Sequence, residues 1–232
     1  MALVRLGGGV QDIRGSIGGT VFSRNRFGNY IRSRITPVNP ASSRQNVIRA
    51  AIQNLSQRWS TVLTQLERDA WEVYAAAIVR QNALGAQIKL TGFNMFIRSN
   101  SIRSQSADTV IDVGPTTLTL PPGDPLMVGA ISTATQQISV TFDDTLNWLD
   151  QDEGRMYVFM SIPKSAGVTF VGGPFRLAGS IEGDSTTPPT SPELIAVPFP
   201  VSTGQIVVVR ARISEEDGRL SDLFRSQSSV AA

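Results

Sequence analysis

The chain has 232 residues, 41% of them hydrophobic and 17% charged, which is enough apolar material for one large domain or two small ones. It contains no cysteine and no histidine, which excludes disulfides, thiolate metal sites and both serine–histidine and cysteine–histidine catalysis. No run of 18 apolar residues and no apolar leader is present, so the chain reads as a soluble protein made in the cytoplasm, without a membrane-spanning helix.

Net charge is +2, but it is unevenly spread. Residues 1–104 hold 14 basic against 4 acidic side chains, a balance of +10, while residues 105–232 hold 7 against 15, a balance of −8. Arginine supplies 19 of the 21 basic residues, the choice suited to bidentate pairing with carboxylate or phosphate. A two-signed chain fits head-to-tail contact between copies, a basic half docking on an acidic surface, or simply two domains of different composition.

Residues 1–40 form a glycine- and arginine-rich arm with no apolar face large enough to make a core. Gly7, Gly8 and Gly9 do not make a phosphate loop: no G-K-[ST] follows and no apolar strand leads in. Residues 20–25 and 29–36 read as the two strands of a β-hairpin, with Arg26-Phe27-Gly28-Asn29 as its turn. Alternation puts Tyr30, Arg32 and Arg34 on one face and Ile31, Ser33 and Ile35 on the other. A lone hairpin is marginal in water, so this one needs a partner surface. Arg24, Arg26, Arg32 and Arg34 read as one cluster, interleaved with Phe22, Phe27 and Tyr30. The candidate contact residues are Arg24, Arg26, Phe27, Tyr30, Arg32 and Arg34. Pairing with carboxylates of a neighbouring subunit is favoured over a phosphate-and-stacking surface for nucleic acid, because a DNA-binding domain is usually basic throughout.

Pro37 and Pro40 end the arm, and Ser42 or Ser43 caps a first helix over 43–63 with an apolar stripe of Ile48, Ile52, Leu55, Trp59 and Val62. Thr64-Gln65-Leu66-Glu67 is a capping box for a second helix running to about residue 81, with Leu66, Ala70, Val73 or Tyr74, and Ala77 as its stripe and Trp71 at the edge. A short strand at 86–90 precedes a third helix over 93–104, and Trp59, Trp71, Phe93 and Phe96 should meet in one small core. Residues 105–125, with Pro115, Pro121, Pro122 and Pro125, read as a linker. Beyond it the pattern has strand period. Candidate strands at 126–132, 137–143, 155–162, 168–171, 174–180, 193–199, 205–213 and 219–225 argue for an antiparallel β-sandwich, ending in a frayed tail from residue 226. Arg210, Arg212 and Arg176 are placed on its outward face. The expected architecture is therefore α+β: an arm and hairpin (1–40), a helical domain (41–104), a linker (105–125) and a sandwich (126–232).

Little in the sequence points to chemistry. Asp143, Asp144, Asp150, Asp152 and Glu153 cluster in one loop, but their spacing does not match an EF-hand and a solvated acidic loop is the simpler account. No carboxylate pair is placed for acid–base work, and there is no nucleophile elbow or nucleotide fingerprint. No enzymatic activity and no cofactor are expected. Trp148 is the one obvious aromatic for a carbohydrate-binding sandwich to present, and it fits a core position equally well.

The run from Ile13 to Gln45, with I-R-G-S-I-G-G-T-V-F, G-N-Y-I-R and N-P, resembles the opening of uncharacterised bacteriophage and prophage proteins. Leu63–Trp71 (LTQLERDAW) and Thr91–Asn100 (TGFNMFIRSN) look like the same group, so the resemblance covers residues 5–104. The C-terminal half resembles the general immunoglobulin or fibronectin type III pattern. The resemblance implies a virion structural protein, such as a head decoration (cement) or neck, tail or baseplate adaptor subunit. Its implied partners are other virion proteins and copies of itself, and its implied location is the virion.

Overall fold

Alternating side chains and glycine turns give the arm a small sheet of its own. A computed structural model describes residues 2–10, 12–25 and 27–229. The first four strands are β1 (Ala2–Val4), β2 (Gly15–Ile17), β3 (Thr20–Asn25) and β4 (Gly28–Ser33), hydrogen-bonded in the order β1-β4-β3-β2. The expected hairpin is thus its central pair, widened by a strand on each side.

Capping chemistry then places three helices. α1 spans Ser43–Thr61, with the Ser42 hydroxyl accepting from the Gln45 amide; α2 spans Gln65–Ala77 behind the complete Thr64–Glu67 capping box; α3 spans Gly92–Ser106 behind Thr91. The aromatic residues meet as the sequence predicts. Ring centroids of Trp59 lie 5.7 Å from Phe93 and 5.4 Å from Phe96, and Trp71 lies 5.6 Å from Phe96. Three expectations are corrected. The buried stripe of α2 is Trp71, Tyr74, Ala75 and Ile78, while Leu66 is 80% exposed and Val73 also faces solvent. Both stripes have helical spacing, and the one carrying the large aromatic surfaces is the one buried. In α1 only Ala51 and Leu55 are buried, and Ile52 and Val62 are exposed. α2 also stops at Ala77, because Arg80–Gln81 (β5) leaves the helix to pair with Gln87–Ile88 (β6). The Asn82 side chain closes that turn by accepting from the Leu84 and Ala86 amides.

The C-terminal half is an antiparallel sandwich of seven strands: β7 (Val128–Ser132), β8 (Gln137–Thr141), β9 (Arg155–Ser161), β10 (Phe175–Glu182), β11 (Glu193–Ala196), β12 (Ile206–Ser214) and β13 (Phe224–Ser229). One sheet has the order β11-β8-β7 and the other β10-β9-β12-β13, the partition of a fibronectin type III-like sandwich. Its core is built from Ile138, Val140, Trp148, Met156, Val158, Met160, Val207, Val209 and Ala211 among others. Residues 168–171 form no strand: they run as a loop into Gly172-Gly173-Pro174, and proline cannot donate to a ladder. The last strand begins at Phe224 rather than 219, because Leu220 and Ser221 first fold back on the end of β12, the Ser221 amide donating to Ile213 O. It then continues past 226, with Ser226–Ser229 in register with Ile206–Val209, so these residues extend the sheet where fraying was expected.

The segment after α3 is bound along its length. Ala107 closes α3 in the left-handed region, at φ 63°. Asn100 and Ile111 then exchange two hydrogen bonds, Asn100 Nδ2 donating to Ile111 O and the Ile111 amide donating to Asn100 Oδ1. Asp112 takes a bidentate pair from Arg58 at 2.6 Å each, and its carbonyl accepts from Trp71 Nε1. At Gly114 a Cβ would stand 2.6 Å from the Trp71 amide nitrogen, so only glycine lets the chain pass this close. Farther on, Asp124 accepts from the amides of Leu126 and Asp143, holding the entry to the sandwich.

A buried polar seam joins the helices to the sandwich. Arg103 of α3 is fully buried and makes four hydrogen bonds: Nε to Thr109 O, Nη1 to Ser214 Oγ, and Nη2 to both Glu153 O and Glu153 Oε2. Beside it Tyr157 donates to Asp108 Oδ2 at 2.6 Å, and Arg98 donates to the carbonyls of Leu220 and Ser221. Ile102, Tyr157 and Leu220 form the apolar side of the same contact.

Replacing Arg103 with methionine removes the charge but leaves Ser214, the Thr109 carbonyl and the Glu153 carboxylate without their donor. The expected cost is about 3 kcal/mol, read from urea unfolding midpoints. A second expectation concerns alkaline pH. Burial pushes the Tyr74 phenol up to about 12, and burial with the Asp108 hydrogen bond pushes Tyr157 up as well. Unfolding releases phenols that ionise near pH 10, so the unfolded chain binds fewer protons from there upward. Stability from these groups is whole below pH 10 and is lost as pH rises from 10 to 12. Tyr74→Phe should flatten that loss in a pH series of unfolding measurements.

Candidate assembly interface

Pairing register decides which arm residues share a surface. Gly28, at φ +119°, and Asn25 close the β3–β4 hairpin, with the Phe27 amide donating to Asn25 Oδ1. Directly opposed residues face the same way, and the pairs are Ser23↔Tyr30, Val21↔Arg32, Arg24↔Asn29 and Phe22↔Ile31. Leu3 opposes Tyr30 and Ser16 opposes Val21. One face therefore carries Leu3, Ser16, Val21, Ser23, Tyr30 and Arg32. The other carries Ala2, Val4, Ile17, Phe22, Arg24 and Ile31.

This divides the expected arginine cluster. Arg24 and Arg32 lie on opposite faces and at opposite ends of the hairpin, Arg24 by the turn and Arg32 toward its open end. Arg34 lies just past β4, where its amide donates to Gly19 O, and Arg26 lies outside the described residues. Tyr30 shares a face with Arg32 and not with Arg24. The alternation predicted for Tyr30 and Arg32 holds, whereas the single patch does not form, because adjacent strands bring Arg24 opposite Asn29. Among the described residues, Arg24, Arg32 and Arg34 have no ion-pair partner, while Arg14 pairs with Asp12 at 3.0 Å.

The arm rests on nothing large. Among its described residues none in 2–42 is buried, and Ile17, Ile35 and Val38 are each more than 70% exposed. β1 and β2 each leave one row of backbone donors and acceptors unpaired at the sheet edge. The link to the body is thin: Arg49 Nη1 donates to Asn39 Oδ1, and Asn46 Nδ2 donates to Ala41 O.

The other candidate sites dissolve into structural roles. Asp143 accepts from the Thr145 amide and hydroxyl, Asp152 accepts from the Ser185 amide, and Glu153 pairs with Arg103. Those hydrogen bonds hold the Asp143 and Asp152 carboxyls below their usual range. Among the described residues no acidic cluster is placed to hold a metal ion. Trp148 is 1% exposed, in the sandwich core beside Phe142, and so offers no surface to a carbohydrate. No helix of the described residues is long and apolar enough to cross a membrane. What sequence reasoning missed are β1 and β2: each is three residues long, too short for a period-2 signal.

Removing residues 1–40 should leave the unfolding free energy of the remainder within about 0.5 kcal/mol, since no arm residue contributes to a core. Differential scanning calorimetry of the full and shortened chains checks this. Compared with known proteins, the chain matches no protein-family model and no curated protein.

Proposed function

We propose that this protein is a structural subunit of a bacteriophage particle, a head decoration protein or a neck, tail or baseplate adaptor, attached to its neighbours by the N-terminal arm. The observation that carries this reading is the contrast between a cross-braced body and an arm sheet with no buried residue, two open edges and unpaired arginines. A segment of that kind gains its burial from another chain, by adding a strand to a neighbouring sheet or by laying one face in a groove. The sequence resemblance to phage and prophage proteins supplies the setting. Partners are copies of itself and other particle proteins, and no catalysis is assigned. The fibronectin-like sandwich fits an outward-facing module, an inference from fold alone.

A nucleic-acid role for the hairpin needs its arginines to converge on one backbone, and the register separates Arg24 from Arg32. Salt-dependent DNA binding at ~50 mM salt, lost on Arg24→Gln and Arg32→Gln, would restore that reading.

Limited trypsin digestion tests the anchoring role. In the isolated monomer cleavage at Arg24, Arg32 or Arg34 should come well before any cut in the body. In the assembled form the same bonds should resist, and the chain lacking residues 1–40 should not assemble. Equal protection of the arm in the monomer defeats the proposal.

A further inference from the structure

On the outer face of the sandwich's four-stranded sheet, Ile102 of α3 packs against Tyr157 and Leu220 at one end. At the other end Phe159, Phe175, Arg210, Arg212 and Leu223 line a cleft of about 240 Å³. Register places these side chains together. Arg210 lies opposite Phe159 and Arg212 opposite Tyr157, so both arginines point to the side of β12 away from the Val207–Val209–Ala211 core. Arg176 takes no part: opposite Met160, it lies on the core-facing side of β10 and not on the outward face expected for it, with its guanidinium over the Phe199 ring at 4.5 Å.

Two features make this cleft a built site. First, the Arg210 guanidinium sits 3.7 Å from the centroid of the Phe175 ring, a cation–π contact that holds it at the cleft without using its hydrogen-bond donors. Second, neither Arg210 nor Arg212 has a hydrogen-bond or ion-pair partner among the described residues. The other guanidiniums of the body's seam are all engaged: Arg58, Arg80, Arg98 and Arg103 with carboxylates or carbonyls. Asp222, the carboxylate that bears on Arg212, is held by Arg80 at 2.7 Å and by Arg98 at 3.3 Å. Arg225 adds further positive charge beside Arg210, directly opposite it on β13. Cations so placed without an acid between them leave an unmet demand for an anion.

We infer that the Arg210–Arg212 cleft is a binding site for a carboxylate carried on an apolar or aromatic group. The guanidinium fork matches a two-oxygen carboxylate. The remaining lining is two phenyl rings and a leucine, which suits an apolar body. A phosphate is disfavoured, because no hydroxyl, lysine or helix N-terminus lines the cleft to meet its further oxygens. Arg210 already covers Phe175, so that ring face does not offer a stacking platform to a nucleobase. The carboxylate can come from a free organic acid or from an acidic side chain next to an apolar one in a protein segment. The inference does not depend on the assembly proposal.

NMR of the arginine Nε–H signals of the full chain tests it, with four probes: phenylacetate, the blocked peptide acetyl-Leu-Glu-Leu-amide, phenylacetamide and inorganic phosphate. Saturable shifts of the Arg210 and Arg212 signals with phenylacetate or the peptide, and none with phenylacetamide, are expected. The tighter of the two carboxylates identifies the source, free acid or protein segment. Arg210→Gln should weaken binding by roughly tenfold or more. Arg225→Gln, which removes a charge from the same face but not from the lining, should weaken it far less. Absence of saturable shifts with both carboxylates overturns the site. Equal response to phosphate, or equal loss in the two variants, reduces it to general electrostatic attraction and overturns it as well.

Discussion

Everything between the arm and the last strand turns on the burial of one guanidinium. Arg103 loses all contact with water. A buried charge is tolerable only if its donors are met by well-placed acceptors. Here the acceptors come from three separate stretches: the segment after α3 (Thr109), the turn before β9 (Glu153) and the end of β12 (Ser214). Satisfying Arg103 therefore fixes the helical unit, the proline-rich segment and the sandwich relative to one another. Tyr157–Asp108 and the Arg98 bonds to Leu220 and Ser221 repeat the same tie on either side. The proline content of 105–125 reflects extended, turn-forming backbone that threads this seam, and Gly114 provides the clearance against Trp71.

A body tied in this way leaves the arm as the weakly held part. Local stability follows burial and backbone protection. The arm has hydrogen-bonded strands but no buried side chain, so its sheet is held largely by its own ladder. A sheet with two open edges and apolar residues on both faces is also an exposed template for another strand. That combination separates folding of the body from ordering of the arm, which suits a chain whose arm is completed by a neighbour.

Local signals were readable where local chemistry decides the outcome. The Thr64–Glu67 capping box, the β3–β4 hairpin, the aromatic core of the helices and most sandwich strands follow from spacing of a few residues. The misplacements share a different cause. Leu66 and Val73 satisfy the helical period as well as Trp71 and Tyr74 do, and only packing against α3 selects between the two stripes. Arg24 and Arg32 look adjacent in sequence, but the face each takes depends on the cross-strand partner. The role of Arg103 was not visible at all, since its partners lie as far as 111 residues away. In the candidate interface, alternation along β4 was legible, whereas strands of three residues with glycine between them carry no pattern to read.

The charge asymmetry also takes on a different meaning once the chain is folded. Basic residues of the N-terminal half meet acids of the C-terminal half within one molecule: Arg58 with Asp112, Arg80 and Arg98 with Asp222, and Arg103 with Glu153. Part of the +10 and −8 contrast is thus consumed in building the body. Opposite charge between the halves is then no argument for head-to-tail contact of whole copies. Among the described residues, arginines left without a hydrogen bond or ion pair include Arg44 and Arg68 on the helices, but they group in two places: Arg24, Arg32 and Arg34 on the arm, and Arg210, Arg212 and Arg225 on the outer face of the sandwich. The arm's arginines sit on thin, two-faced strands and suit an extended contact with another chain. Arg210 and Arg212 sit in a shaped cleft on a rigid sheet, where an anion is recognised by geometry as well as by charge. It is on these two groups, rather than on the overall imbalance, that contact with other molecules is proposed.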